Sequence, residues 1–265
     1  MSLSDADRER YARQLAIPEL GEAGQEKLAA GSVLVAGAGG LGSPVLLYLA
    51  AAGVGRLGVL DDDVVELSNL QRQVLHSTVD LGRPKVDSAV EKLHALNPDV
   101  ELVRHDTRFT AATAEEVLSA YDVVVTAVDN FPSRFLLNDA CVLLRKTLVE
   151  GAILRFTGLV MTVKGGETAC YRCVFPEMPG ADSVPTSAEA GILGPVAGTI
   201  GCIQACEAIK VLAGVGQPLY DRLLRFDAAG MSFREVAIGR EPDCPVCGGA
   251  PTITSLAAAG RATGI

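Results

Sequence analysis

The amino-acid sequence predicts an α/β fold built on a mostly parallel β-sheet. Short apolar runs of strand length alternate with longer segments of helical period over the first 150 residues. Apolar residues make up 49% of the 265-residue chain, which is enough to bury a sizeable core. Because parallel strands need crossover connections, usually helical, the alternation predicts a sheet covered by helices on both faces.

The predicted elements follow in a regular order. Residues 5–30 have a helical pattern that breaks between Pro18 and Gly24. The elements predicted after this region are Val33–Ala36 (strand), Leu41–Ala52 (helix), Arg56–Leu60 (strand), 84–96 (helix), Val100–Arg104 (strand), 113–119 (helix), Val123–Ala127 (strand), Asn130–Arg145 (helix) and Thr147–Glu150 (strand).

The pattern changes near residue 151, where we expect antiparallel strands to extend the sheet. The predicted elements are Arg155–Val163 (strand), 192–213 (helix, ending near Gly214), 222–227 (strand) and 233–238 (strand). Residues 176–190 contain three prolines and are predicted to form a loop. The tail, 249–265, is rich in Ala, Gly and Thr and is predicted to be disordered. We expect one domain over residues 1–248.

Charge and apolar patterning exclude several classes of protein. The net charge is −9, whereas a nucleic-acid binder normally carries a basic face. The first 14 residues lack the apolar segment of a signal peptide. Residues 33–60 are largely apolar, but glycines and Pro44 interrupt them, so strand, loop, helix and strand fit better than a membrane span. We therefore expect a cytoplasmic protein that binds neither nucleic acid nor membrane.

A glycine-rich loop lies between the first predicted strand and the next helix. Its glycines, which fit G-x-G-x-x-G, are Gly37, Gly39, Gly40 and Gly42. Asp61 follows 19 residues after Gly42, at the end of the next strand, where a carboxylate accepts hydrogen bonds from a ribose. This arrangement is typical of a Rossmann-like, doubly wound nucleotide-binding fold. On the motif alone, a nicotinamide-dependent oxidoreductase is the commonest interpretation.

Other polar residues favour a triphosphate. Arg72 lies in the polar run 68–73, Lys85 begins a predicted helix, and Asp129 ends another predicted strand. Two cations and a carboxylate around one nucleotide suit ATP with Mg²⁺. For any one of these residues, an exposed charge at a helix end is an equally good interpretation, but it is a poorer one for all of them together.

Two C-x₂-C pairs are spaced as metal ligands. They are Cys170 with Cys173 and Cys244 with Cys247. Four thiolates in paired turns suit a structural tetrahedral Zn²⁺ site, and disulfides or a redox pair are the alternatives. The remaining cysteines, Cys141, Cys202 and Cys206, are expected to be buried packing residues. The three histidines, His76, His94 and His105, are expected to be ordinary surface or packing residues.

Several of these features occur together and in order. They are Arg13-Gln14, GAGGLG, Asp61-x-Asp63, SNLQRQ, GRPK, TAVDN and the two cysteine pairs. In this combination the chain, over roughly residues 5–248, resembles the MoeB/ThiF/HesA family of E1-like adenylyltransferases. The resemblance implies a nucleotide-binding half, about 30–150, and a zinc and carrier-binding half, about 151–248.

The resemblance also implies a reaction. In such enzymes ATP adenylates the C-terminal Gly-Gly carboxylate of a small ubiquitin-like sulfur-carrier protein, pyrophosphate is released, and the carrier is prepared for thiocarboxylate formation. The family includes proteins of molybdopterin, thiamin, tRNA-thiolation and siderophore pathways, and the carrier's identity stays open. An α-carboxylate has a pKa of about 3.5, so the nucleophile is already ionised and no general base is needed.

Residue roles carry over by the same resemblance. Asp61 would hold the ribose, Asn69, Arg72 and Lys85 the phosphates, and Asp129 the Mg²⁺. Arg13 would reach the active site of a second subunit, which implies a homodimer. The implied nucleotide-binding residues are Gly37, Gly39, Gly40, Gly42, Asp61, Asp63, Asn69 and Gln73, and the implied catalytic residues are Arg13, Arg72, Lys85 and Asp129.

The chain departs from the family pattern at one position. Ser187 stands where the family usually carries a cysteine, just before Ala188-Glu189-Ala190-Gly191. Because serine cannot form a persulfide, either this member stops at the adenylate or the serine replaces a natural cysteine. No rhodanese-like domain follows the second cysteine pair, so we expect a separate sulfur donor, a cysteine desulfurase or a rhodanese. An oxidoreductase and a non-catalytic scaffold that binds the carrier remain the alternatives.

Overall fold

The computed structural model describes residues 3–180 and 187–265, with the backbone alone for Ser187 and Ala188. Its α-helices are α1 (Asp5–Arg10), α2 (Ala12–Leu15), α3 (Gly21–Ala30), α4 (Gly42–Ala51), α5 (Lys85–Leu96), α6 (Ala114–Ser119), α7 (Phe131–Leu143), α8 (Tyr171–Val174), α9 (Ser187–Ala190), α10 (Gly194–Ala213) and α11 (Leu256–Thr263). Its strands are β1 (Ser32–Ala36), β2 (Arg56–Leu60), β3 (Glu101–His105), β4 (Val123–Thr126), β5 (Thr147–Leu154), β6 (Thr157–Lys164), β7 (Arg222–Asp227) and β8 (Ser232–Ala237).

The eight strands form one sheet in the order β3-β2-β1-β4-β5-β6-β7-β8. The first five strands in this order are parallel to their neighbours, and β6, β7 and β8 are added antiparallel. The register pairs Val33 with Val123, so the central strands β1 and β4 join distant parts of the chain. The predicted parallel sheet with an antiparallel extension is confirmed.

Helices cover both faces of the sheet. Side chains of β1 alternate between two apolar clusters: Val33 and Val35 lie in one, Leu34 and Ala36 in the other. The first cluster is completed by α3, α4, α5 and α10, and the second by α6, α7 and α11. This alternation with a period of two is what a strand buried on both faces requires, and it confirms the doubly wound architecture.

Helix α10 is a core helix of this domain. By length and composition alone it is the one described helix that passes as a membrane span, with a mean hydropathy of 1.4. Half of that segment is buried inside the molecule, however, and the helix packs against α4, β5 and β6. Its apolar character therefore follows from burial on two sides.

Strand β5 is longer than the sequence predicts. We expected it to end at Glu150, but it continues to Leu154 and pairs with β6 along its whole length. The first part of β5 lies beside β4, and its second part extends past the end of that strand as one arm of an antiparallel hairpin. The extension thus depends on a tertiary pairing rather than on local period.

The prediction of a disordered tail is wrong. Residues 256–263 form α11, with Ser255 as its N-cap and Gly264, at φ 79°, ending it. Ala259 is completely buried in the cluster that α7 contributes to. Small residues lower the apparent hydrophobicity of the segment, yet they let the helix approach its neighbours closely. A Cβ on Gly260 would lie 2.6 Å from the Cβ of Ala111.

We predict that Ala259→Asp destabilises the protein, because the new carboxylate has no place in the apolar cluster under α11. The expected loss is about 2 kcal/mol or more in the free energy of unfolding, measured by urea denaturation. Ala257→Asp is the matched control, since Ala257 is exposed on the same helix. Equal stability of the two variants would contradict a docked α11.

Candidate functional site

The glycine-rich loop lies where the strand order changes direction. It follows β1, between β2 on one side and β4 on the other. The connection from β1 leads to β2, whereas that from β4 leads to β5 on the opposite side, so the two diverge at this point. In open α/β sheets such a divergence leaves a crevice at the carboxyl ends of the strands, where ligands bind.

Close packing of backbone against backbone explains the glycines of this loop. A Cβ on Gly42 would lie 1.9 Å from the carbonyl oxygen of Gly37, and one on Gly37 would lie 2.5 Å from that of Ala127. Gly37 also has φ 107°, which residues with a side chain rarely adopt. The loop, the start of α4 and the end of β4 are therefore in direct contact.

The backbone of this loop offers several free donors. Within the described residues, no hydrogen-bond partner is found for the N–H groups of Gly39, Gly40, Leu41 and Gly42. Gly39 and Gly40 are partly exposed, and the run leads directly into α4. Unpaired N–H groups at the start of a helix favour the phosphate of a ligand.

Asp61 and Lys85 lie together beside the loop. The Asp61 carboxylate accepts hydrogen bonds from the N–H of Ala38 at 2.8 Å and of Asp63 at 2.9 Å. Lys85 Nζ lies 3.9 Å from Asp61 and 2.8 Å from Asp63. Burial raises the pKa of Asp61, and Lys85 and the two hydrogen bonds oppose that rise. The structure thus joins the end of β2, the start of α5 and the glycine loop.

The SNLQRQ segment packs against the loop from another side. A Cβ on Gly40 would lie 3.3 Å from Arg72 Cγ, and one on Gly39 would lie 3.4 Å from Gln73 Nε2. The Oε1 atom of Gln73 is buried without a hydrogen-bond partner among the described residues. Asn69 sits in the same turn, and its side chain accepts a hydrogen bond from the N–H of Glu66 at 3.2 Å.

Asp129 follows the strand whose end contacts the glycine loop, whereas Arg13 lies near the opposite end of α4. Asp129 is exposed and follows β4 by three residues, just beyond the Ala127 carbonyl that contacts the loop. Arg13 is exposed on α2, away from the loop in its own chain. Its neighbour Gln14 donates to the carbonyl of Ala52, directly after the C-terminus of α4, whereas the loop lies at the N-terminus of that helix.

Sequence reasoning missed the contact between His76 and the glycine loop. The residue is buried, as a packing residue would be, and its ring lies against the loop. Nε2 lies 2.8 Å from the carbonyl oxygen of Ala38, and Nδ1 lies 2.9 Å from Ser88 Oγ. No periodicity or spacing signals this contact, because it depends on how the loop before α5 folds back.

A buried polar network under the β4–α7 turn was also missed. Arg134 pairs with Glu150, and it donates to the carbonyls of Val128 at 3.0 Å and Gly151 at 2.7 Å. Glu150 also accepts a hydrogen bond from Thr126. Burial lowers the pKa of Arg134. A glutamate within an apolar segment signals a buried partner, but the sequence does not say which residue supplies it.

The four cysteines of the two C-x₂-C pairs meet in one cluster. Their sulfurs lie 3.4 to 3.9 Å apart in the contacts Cys170–Cys173, Cys170–Cys244, Cys170–Cys247 and Cys173–Cys247. All four are free thiols, and three of them are buried. Because a disulfide bond is about 2.05 Å long, these separations exclude the disulfide alternative for the described structure.

The chain has clear relatives. The ThiF family model matches residues 11–246. The sulfur carrier protein adenylyltransferase of Thermus thermophilus is 50% identical over 261 residues, which cover 97% of this chain and 96% of that protein. The adenylyltransferase and sulfurtransferase MOCS3 of Sus scrofa is 50% identical over 256 residues, 96% of this chain but 56% of that longer protein.

A crystal structure of E. coli MccB with MccA-N7isoASN has the same fold. It superposes with a TM-score of 0.80 over 90% of this chain and 75% of that one, at 24% sequence identity. The crevice at the strand ends, the glycine loop with its free N–H groups and the matched family model are consistent with one another. The chain therefore belongs to the ThiF family, among the E1-like adenylyltransferases.

Proposed function

We propose that this enzyme uses ATP to adenylate the C-terminal Gly-Gly carboxylate of a small ubiquitin-like sulfur-carrier protein, with release of pyrophosphate. One observation carries the proposal: a relative that is 50% identical over 96% of its own length bears the name sulfur carrier protein adenylyltransferase. The adenylated carrier would then be ready for thiocarboxylate formation. The MOCS3 name supports the same pairing of adenylation with sulfur chemistry.

The reaction needs no general base from the protein. The carboxylate nucleophile is ionised at neutral pH, with an α-carboxyl pKa of about 3.5. The enzyme has to bring two anions together and to stabilise the charge that develops on phosphate. We assign the phosphates to the free N–H groups of the loop and to Asn69, Arg72 and Lys85, and the ribose to Asp61. The supporting residues are Gly37, Gly39, Gly40, Gly42, Asp63 and Gln73.

In this assignment Lys85 changes partner. Its ammonium is bound to Asp63, whose side chain is 67% exposed. An exposed carboxylate holds a cation weakly because water screens the pair. A nucleotide phosphate nearby carries more charge and would compete for the ammonium. Lys85 is therefore held ready beside Asp61.

We assign Mg²⁺ to Asp129. Its exposed carboxylate at the carboxyl edge of the sheet has no hydrogen bond in the part of the chain that the structure describes. Carboxylate oxygen is a ligand that Mg²⁺ prefers, together with water and substrate phosphates. A bound Mg²⁺ would neutralise phosphate charge there, while Arg134 keeps the turn in place through the carbonyl of Val128.

We propose a structural Zn²⁺ in the cysteine cluster. A tetrahedral Zn–S bond of about 2.3 Å places neighbouring sulfurs about 3.8 Å apart. The measured contacts of 3.4 to 3.9 Å fit that geometry. The metal would join Cys170 and Cys173 at α8 to Cys244 and Cys247 near the C-terminus.

We further propose a homodimer in which Arg13 completes the site of the second subunit. In its own chain Arg13 lies beyond the C-terminal end of α4, a helix of ten residues, or about 15 Å. Five large apolar side chains between residues 64 and 81 are exposed in the single chain: Val64, Leu67, Val74, Val79 and Leu81. A surface of that kind is typical of one covered by another protein.

The remaining assignments follow the same proposal. A separate cysteine desulfurase or rhodanese would supply sulfur, and the reaction would take place in the cytoplasm. We treat residues 1–248, together with the docked helix α11, as one domain with a nucleotide-binding half and a carrier-binding half. The side chain of Ser187 lies outside the described residues.

We predict that pyrophosphate exchange requires ATP, Mg²⁺ and a carrier with its final glycine, and that NAD binds weakly or not at all. Asp129→Ala should reduce this exchange about a hundredfold or more, because the metal loses its carboxylate. Asp62→Ala is the matched control, since Asp62 is an exposed acid nearby without an assigned role. Tight NAD binding, or full activity of Asp129→Ala, would overturn the assignment.

We predict about one zinc per chain in the purified protein, measured by elemental analysis. Cys244→Ser should lose the metal and lower the melting temperature, because the C-terminal segment is no longer joined to α8. Cys206, which the sequence predicted to be buried, is exposed and lies outside the cluster, so Cys206→Ser should keep both unchanged. The proposal fails if the protein lacks zinc and these four thiols are oxidised.

We predict that adenylation does not use residue 187, because the ionised carboxylate attacks the α-phosphate directly. Ser187→Ala should keep carrier-dependent pyrophosphate release within about threefold of the parent, since such a change removes no transition-state contact. Mass spectrometry after incubation with ATP and carrier provides the check. A carrier adduct on Ser187 that resists thiols and yields to hydroxylamine would contradict the prediction.

A further inference from the structure

The glycine loop is held by two side chains that grip adjacent peptide groups. The N–H of Ala38 belongs to the Gly37–Ala38 peptide and donates to Asp61 at 2.8 Å. The carbonyl of Ala38 belongs to the next peptide, Ala38–Gly39, and lies 2.8 Å from His76 Nε2. Glycines have no side chains that pack and fix their backbone, so these two contacts restrict how the loop can turn.

The hydrogen-bond partners of His76 determine which of its ring nitrogens carries the proton. A carbonyl oxygen only accepts, so Nε2 carries the proton that is donated to Ala38. In the neutral ring Nδ1 is then an acceptor, and it faces the hydroxyl of Ser88 at 2.9 Å. Ser88 Oγ accepts in turn from Lys92 Nζ at 2.8 Å. With a neutral imidazole, every polar atom in this row of hydrogen bonds, from the Ala38 carbonyl through His76 and Ser88 to Lys92, has a partner.

The row ends in an ion pair that holds it in place. Lys92 is bound to the carboxylate of Asp80, which is 1% exposed. Burial opposes ionisation of Asp80, but Lys92 and the hydrogen bonds from Ser77 outweigh it and hold the pKa of that carboxyl well below its usual range. Burial lowers the pKa of the His76 imidazole, which favours the neutral ring that the hydrogen bonds require. The side chains of His76 and Asp80 are both almost fully buried, so their orientation is fixed.

A fixed carbonyl fixes the next N–H. In a trans peptide group the C=O and N–H bonds lie in one plane and point in opposite directions. With the Ala38 carbonyl directed at His76, the N–H of Gly39, a partly exposed residue, points away from His76. That N–H is one of the loop donors without a partner among the described residues.

We propose that His76 is a positioning residue for nucleotide binding: through the Ala38–Gly39 peptide it orients the Gly39 N–H toward a phosphate of ATP. The inference rests on the proposed function, because it requires ATP at the glycine loop. His76 does not touch the nucleotide. Ser88 keeps its ring in the donating orientation, and Asp61 holds the preceding peptide.

The test compares substitutions that keep or remove the donor. His76→Leu keeps bulk and loses the hydrogen bond, so the dissociation constant of ATP and the KM for ATP should both rise about tenfold or more. His76→Gln places an amide N–H near the position of Nε2 and should recover binding to within about threefold of the parent. The KM for the carrier should not change in either variant.

Asn97→Leu is the matched control. Asn97 is also fully buried and also donates to a backbone carbonyl, that of Ala50 at 2.8 Å, but it does so at the other end of α4. It should lower the melting temperature without changing ATP binding. Amide hydrogen exchange of the peptide that contains Gly39 provides a second readout, and exchange there should be faster in His76→Leu only. If His76→Leu does not fold, Ser88→Ala takes its place, with a smaller expected increase in the dissociation constant of ATP.

Two outcomes are distinguished by measuring ATP binding without carrier. If the parent protein binds no ATP, the proposed function fails. If the parent binds ATP and His76→Leu binds it equally well, or if His76→Gln is no better than His76→Leu, the positioning role is overturned while the proposed function stands. An equal loss of ATP binding in Asn97→Leu would also overturn it, because the effect would then be one of stability.

Discussion

The site depends on one constraint, the contact of three backbone segments with no space for a side chain between them. The carbonyl of Gly37 lies against Gly42, and the carbonyl of Ala127 lies against Gly37. This contact brings the end of β1, the end of β4 and the first turn of α4 to one point. Asp61, at the end of β2, accepts a hydrogen bond from the N–H of Ala38 in the loop, and Lys85, at the start of α5, lies beside Asp61. Asp129 follows in the turn after β4. A methyl group at either glycine would separate these segments.

Helix α7 connects this point to the cysteine cluster through two buried ion pairs. Arg134, in its first turns, is bound to Glu150 and to the carbonyl of Val128. Asp139, farther along the helix, forms a two-point pair with Arg172, which directly precedes Cys173, at 2.7 Å for each bond. Removing one partner of such a pair costs about 3 to 5 kcal/mol, because the other charge stays buried. Helix α7 is thus held in its first turn beside the β4–α7 turn and, at Asp139, beside the cysteine pair of α8.

Prediction from sequence succeeded where local pattern decides the outcome. The bounds of β2 and the start of α5 follow from apolar period and from Pro84, and glycine spacing located the loop. The second half of β5 and the docking of α11 depend on partners that are distant in the chain, so local pattern could not reveal them. The same is true of His76, whose carbonyl partner is 38 residues away. The four cysteines were an exception, because their spacing itself encodes the chemistry that brings them together.

The pairing of β1 with β4 also has a consequence for how the protein is made. Val33 lies beside Val123 in the sheet, so the ribosome must synthesise α4, β2, α5, β3 and α6 before the two central strands can meet. Closing so long a segment costs conformational entropy before any contact compensates for it, which slows folding. A nascent chain that ends before β4 exposes one side of β1 and has only half of the crevice. The crevice is therefore completed late in translation, and until α6 and α7 have emerged the face of β1 that carries Leu34 and Ala36 is a surface that chaperones would need to shield.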